Sequence, residues 1–170
     1  MRQIGAAFFA YTQDHDGALP GRLGGKVDKW PKLLSKYLGS EKIYAAPGDP
    51  QNYLRRKLDP LDNGRNNTSY IMNGFNDLGA FDTDGFAVHM ASIERPTNTL
   101  LLGTITPGSI HYYMDFREKN QDDMLAKKLY GDGSTYLFCD GSAKFITEQD
   151  YRNEMWLVDK EDTQIINQPM

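Results

Sequence analysis

Ile4-Gly5-Ala6-Ala7-Phe8-Phe9-Ala10-Tyr11, running on into Asp14-His15-Asp16-Gly17-Ala18-Leu19-Pro20, is the stretch on which the fold turns. Ile4, Ala7, Phe8 and Tyr11 recur at the three- and four-residue spacing of one helix face. Phe9 and Ala10 widen that face. The start is abrupt: Met1-Arg2-Gln3 offers no Ser, Thr, Asp or Asn to accept the first free amide hydrogens. The stop is clean, because Gly17 can take the left-handed conformation that closes a helix and Pro20 forbids its resumption. The spacing therefore predicts a helix within 1–17. It reads equally as a piece of a longer helix or as a short terminal helix that frays.

Outward from this stretch, a second helix is predicted over 28–39. Trp30, Leu33, Leu34, Tyr37 and Leu38 form one apolar stripe, Asp28 is positioned to cap it, Pro31 suits its first turn and Gly39 follows as the stop. A loop, Ala46-Pro47-Gly48-Asp49-Pro50, and a charged excursion from Tyr53 to Asn67 come next. Strand signals then dominate over 69–146. Ser69 to Met72, Phe86 to His89, Thr99 to Thr104 and His111 to Met114 are candidates, and the leucine run 100–102 suits a strand buried on both faces. Thr135 to Cys139 and Ser142 to Ile146 flank Asp140-Gly141, which predicts a hairpin with a two-residue turn. Thr147-Glu148-Gln149-Asp150 has capping-box spacing, so a short helix is expected within 147–170, with a loose tail from Ile165 to Met170. Helices followed by strands argue one α+β domain over 1–170, its first helix packed on an antiparallel meander.

The chain has 170 residues, enough for one domain with a real core. Its net charge of −4 repels a phosphate backbone on average. No stretch approaches the roughly 20 apolar residues needed to span a bilayer, and no signal-peptide pattern is visible, so an exported protein would carry its signal upstream. Cys139 is alone, which excludes an intrachain disulfide and a cysteine-based metal site.

Candidate chemistry is sparse. Asp14 and Asp16 before Gly17 resemble the start of a calcium loop, but Ala18 and Gly25 occupy positions where ligands belong; the helix-end reading is stronger. Asp77, Asp82 and Asp84, with Asn76, form an acidic loop that suits calcium, although turns favour the same residues. Gly131-Asp132-Gly133-Ser134 reads as a turn rather than a phosphate cradle. His15, His89 and His111 match no ligand spacing. Cys139 is read as a small buried thiol, with a helped nucleophile as the alternative. Asn66 and Asn67 both begin glycosylation acceptor patterns. Tyr112, Tyr113, Tyr136 and Phe138 read first as core, with Tyr136 and Phe138 on one face of their strand; a sugar-stacking platform is the sharper alternative.

In order along the chain, several landmarks resemble a bacterial family. They are Met1-Arg2-Gln3-Ile4-Gly5 with Asp14-His15-Asp16-Gly17; Trp30, Leu33, Leu34 and Tyr37; Pro47-Gly48-Asp49-Pro50; Ser69-Tyr70-Ile71-Met72-Asn73; Ile93 to Leu101; and Tyr136 to Gly141. The chain is similar to type IV pilin-like proteins, or pseudopilins, with a prepilin-type cleavage/methylation segment and a C-terminal H-X9-DG element, of the kind expanded in planctomycetes and verrucomicrobia. Three departures stand out. Tyr130 occupies the histidine position of that element, whose Asp and Gly are Asp140 and Gly141. Ala46 stands where a cysteine is frequent, and Gly103-Thr104 replaces an acidic strand end.

The resemblance implies a pilin-like fold whose first helix continues an upstream apolar half that spans the inner membrane. It implies a non-enzymatic assembly protein of a type II secretion or type IV pilus-like system, exported and anchored facing the periplasm or carried in a filament. The implied partners are other pseudopilins or secretion components, with no nucleic acid; no cofactor is implied, although some such proteins hold calcium. An exported glycan- or protein-binding module is the second expectation. A hydrolase, built on paired carboxylates or a Cys139–histidine pair, is the third.

Overall fold

A computed structural model describes residues 1–22, 28–49, 67–78, 86–107, 109–114, 124–158 and 165–167. The first helix, α1, spans Arg2–Asp14. Met1 occupies its N-cap without a side-chain hydrogen bond, and the first turn holds no acid. At the other end Gly17 adopts φ +84° and its N–H donates to the Thr12 carbonyl at 2.7 Å. That bond satisfies a carbonyl of the last turn, as the sequence leads one to expect.

The stripe Ile4, Ala7, Phe8 and Tyr11 is buried in one cluster with Trp30, Leu34 and Tyr44 and with Tyr70, Met72, Leu102 and Leu137 of the sheet. Phe8 stacks on Trp30 at 5.7 Å, and Trp30 meets Tyr44 edge-on at 5.6 Å. Such pairs add about 0.5–1.5 kcal/mol beyond their buried area. The second helix, α2, is only Trp30–Leu34 and runs on as a 3-10 turn through Ser35–Tyr37. It is shorter at both ends than the 28–39 expected. Lys29 is its N-cap, so Asp28 does not cap it, and Leu38 is already extended before Gly39. Pro31 does lie in the first turn, and the apolar stripe is kept.

Five strands form the main sheet: β1 (Tyr70–Asn73), β3 (Leu100–Thr104), β4 (Tyr113–Met114), β5 (Gly133–Phe138) and β6 (Ala143–Thr147), in the order β4-β1-β3-β5-β6. All neighbours are antiparallel except β4, which lies parallel to β1. The expected meander is corrected there. The Tyr112 carbonyl accepts both the Met72 N–H and the Trp30 indole N–H, each at 2.9 Å, so the Trp30 layer holds this segment against β1. The remaining strands, β2 (Phe86–Val88) and β7 (Ile165–Asn167), form a separate antiparallel pair. Part of the expected loose tail is therefore a strand. Beyond it, the Leu19 N–H donates to Val88 O and the Met90 N–H to Gly17 O, pinning the end of α1 to β2.

Both faces of the main sheet are covered. Opposite α1, a second cluster gathers Ile71, Leu100, Ile105, Met114, Leu125, Tyr136, Phe138, Tyr151 and Trp156. Tyr136 and Phe138 share this face, as alternation requires, while Leu137 and Cys139 face α1. No helix starts at Thr147. Its hydroxyl accepts the Asp150 N–H at 3.2 Å and donates to the Asp150 carboxylate at 2.7 Å, but these box-like bonds close a turn at the end of β6. The chain then descends so that Tyr151 stacks on Tyr136 at 5.6 Å and Trp156 donates to the Tyr151 hydroxyl at 2.9 Å.

The hairpin is also corrected in detail. Its loop holds three residues, Cys139, Asp140 and Gly141, with the Gly141 N–H donating to Phe138 O and the Phe138 N–H to Ser142 O, both at 2.9 Å. Only Gly141 has positive φ, +83°, which is the pattern of a tight turn followed by one left-handed residue. Backbone bonds from Cys139 to Thr99 O and from Asp140 to Pro96 O hold the loop down and select that form.

Asn73 ties the layers together. Only 2% exposed, it donates to the carbonyls of Leu100 and Trp156 at 2.9 Å each, and its Oδ1 accepts the Phe75 N–H at 2.8 Å, supporting Phe75 at φ +52°. Asn73→Ala strands three buried backbone groups. The expected loss is about 2–4 kcal/mol of unfolding free energy, read as a lower urea midpoint at unchanged slope.

Candidate functional site

The residues that resemble an H-X9-DG element, Tyr130, Asp140 and Gly141, do not form one site. Tyr130 and Asp140-Gly141 lie beyond opposite ends of β5, whose six residues span about 20 Å. Each half instead meets another landmark of the sequence. Gly141 lies under α1: a side chain there would run into the Phe9 ring, and Gly5 above packs on Leu137. Asp140 accepts the Ser142 N–H at 2.8 Å. Partial burial pushes its carboxyl upward, but the Ser142 hydrogen bonds and the Lys144 charge carry it below the ordinary value.

Tyr130 stands at the other end, 37% exposed and bonded to the Gly48 backbone. It walls a cleft of about 330 Å3 on the α1 face, with Met1, Pro47, Tyr70, Thr135 and Phe145. Burial raises the Tyr70 phenol to about 12, with Tyr130 and the buried Asp49 adding to the shift. Burial also raises Tyr130; the Gly48 bond opposes this and Asp49 adds to it. On the other face of β6 a groove of about 340 Å3 runs between Thr97, Lys144, Asp150 and Met155, and Phe145 borders it too. Lys144 lies over the Phe138 ring at 4.2 Å and donates to Thr97 O at 3.1 Å.

The acidic candidates separate. Asp77 is turned inward, 9% exposed, and accepts the Val158 N–H at 2.8 Å. Asp82 and Asp84 lie outside the described residues. Among the described residues no three His, Cys, Asp or Glu side chains converge as a metal cage. Asp14 accepts the Tyr37 hydroxyl at 2.8 Å and lies 3.8 Å from Lys36, which serves the end of α1.

Tyr112, Tyr113, Tyr136 and Phe138 are all buried, so they make core and not a sugar platform. The exposed rings of the cleft are Tyr130 and Phe145. Tyr130 precedes the Gly131–Gly133 turn, a composition cue for exposure. Phe145 sits in an alternating strand, and exposure there depends on being at the sheet edge. Cys139 is buried, and burial first, then the Asp140 charge, pushes its thiol up. His15 bonds Tyr11 O at 2.7 Å and stacks on that ring, and His89 accepts the Ala91 N–H at 3.2 Å.

Comparison with protein families, curated proteins and solved structures finds no match.

Two outcomes follow from this geometry. Gly141→Ala meets both positive φ and the Phe9 ring, whereas Gly131→Ala meets positive φ (+88°) in open space. The first is expected to cost about 1–3 kcal/mol and clearly more than the second, with Phe9→Ala relieving part of the difference in a double-mutant cycle. Tyr44, Tyr70, Tyr136 and Cys139 all hold their protons above the ordinary values of 10.0 for the phenols and 9.0 for the thiol, chiefly through burial. Their contribution is fully present below those values. The unfolded chain deprotonates first as pH rises, so stability is lost until the folded-state values are passed. Urea titrations at successive pH should show a decline beginning near 9 and steepening above 10, by up to about 1.4 kcal/mol per pH unit per group. Cys139→Ala removes the earliest part.

Proposed function

We propose that this chain is the globular head of a non-enzymatic assembly protein of the pilin-like type, working in a type II secretion or type IV pilus-like system. The observation that carries this reading is the seat of α1. Its apolar stripe lies along a mostly antiparallel sheet, and Phe9 closes over the Asp140-Gly141 turn. The sequence landmarks behind the resemblance also touch one another. Gly48 bonds Tyr130, Cys139 and Asp140 bond Thr99 and Pro96, and Asn73 bonds Leu100. Such contacts suit residues that set a scaffold. In this reading an upstream continuation of α1 anchors the protein in the inner membrane, the head faces the periplasm or the cell surface, and its partners are other pseudopilins or secretion components.

Tyr112, Tyr113 and Tyr136 are committed to the core, so among the described residues the Tyr130–Phe145 cleft is the aromatic surface open to a glycan or an exported protein.

The test is expression from the native gene, with its own upstream sequence, in the source organism. The assembly reading expects the head in the membrane or sheared-surface fraction, with a leader removed ahead of an apolar segment. A product that starts at Met1 and stays in the soluble fraction overturns it.

A further inference from the structure

The outer side of β6 is an edge of the main sheet. Among the described residues no strand pairs with that side. The bonds from Phe138 N–H to Ser142 O and from Glu148 N–H to Asp132 O fix the alternation of the β5–β6 ladder. Ser142, Lys144, Ile146 and Glu148 bond inward, so Ala143, Phe145 and Thr147 direct their amide groups outward. Phe145 is also 51% exposed. Natural edges of this kind are usually guarded by prolines, bulges or outward charges. Here Ala143-Lys144-Phe145-Ile146-Thr147 holds no proline and one charge, and Lys144 is drawn back onto Phe138 and Thr97 of its own chain.

We infer that β6 pairs with β6 of a second copy of this chain, antiparallel, about a two-fold axis at Phe145. The edge is complementary to itself in that register. Phe145 faces Phe145, with the two backbones exchanging both hydrogen bonds, and Ala143 faces Thr147. On the other side of the sheet Lys144 faces Ile146, and no like charges are directly opposed. Pairing covers two half-exposed aromatic rings that otherwise face water. The contact is isologous and closes at two copies. The inference does not rest on the assembly reading. Antiparallel pairing sets the two α1 helices in opposite directions, so this dimer is a state of the head outside any side-by-side array of anchored copies.

The test is sedimentation equilibrium of the 170-residue chain at concentrations up to about 1 mM, a range that captures weak small-interface association. A reversible monomer–dimer equilibrium is expected. Phe145→Glu, with unchanged circular dichroism, should weaken it at least tenfold by opposing two carboxylates. Because Cys139 is buried, single added cysteines report the register: Phe145→Cys should cross-link to dimer under mild oxidation, and Lys144→Cys, on the other face, at least tenfold more slowly. A chain that stays monomeric throughout overturns the inference. So does a dimer indifferent to Phe145→Glu, or cross-linking that favours position 144. The cysteine pair decides the matter even where the glutamate variant does not fold.

Discussion

Leu100, Leu101 and Leu102 leave β3 no side that can face water, and the rest of the molecule answers that constraint. Each is at most 1% exposed. The ladder to β5 shifts register between Leu100 and Leu102, so Leu101 and Leu102 reach the α1 side while Leu100 reaches the other. Two covering layers are therefore needed, and they come from opposite ends of the chain. α1 with Trp30 and Tyr44 supplies one; Met124, Leu125, Tyr151 and Trp156 supply the other. Asn73 stands where the layers meet and bonds both the central strand and the C-terminal segment.

What was legible in the sequence was local. The α1 stripe repeats every three or four residues and is terminated by Gly17 within the same stretch, so its existence and its buried face could be read directly. The leucine run and the alternation of Tyr136 and Phe138 were equally plain. What escaped was decided by distant partners. The turn at Asp140 takes its form from bonds to Pro96 and Thr99. β4 lies parallel because Trp30 shares the Tyr112 carbonyl with β1. β7 is too short to signal itself and exists through β2. The candidate sites fared likewise. A strand pattern says which residues share a face but not whether the strand lies at an edge, so Phe145 passed unnoticed while the buried tyrosines drew attention.

The positions where the chain departs from the pattern it resembles have physical settings. Ala46 is buried in the α1-side cluster beside Trp30 and Tyr44. At Gly103 the space a side chain would occupy is filled by Leu125 and Trp156, so an acidic residue at that end of β3 would enter the second core. Tyr130 takes the histidine position as an aromatic wall bonded to Gly48. At Gly103 a carboxylate would also carry a desolvation cost.

The contact between Phe9 and Gly141 joins the opening of the chain to nearly its last hairpin. On the ribosome α1 is complete long before the turn that receives it exists. Its oily stripe must then wait through the synthesis of almost the whole domain, and loop closure over that separation is slow. A nascent chain therefore carries an uncovered apolar stripe through most of its synthesis, the kind of surface that favours association before the fold closes.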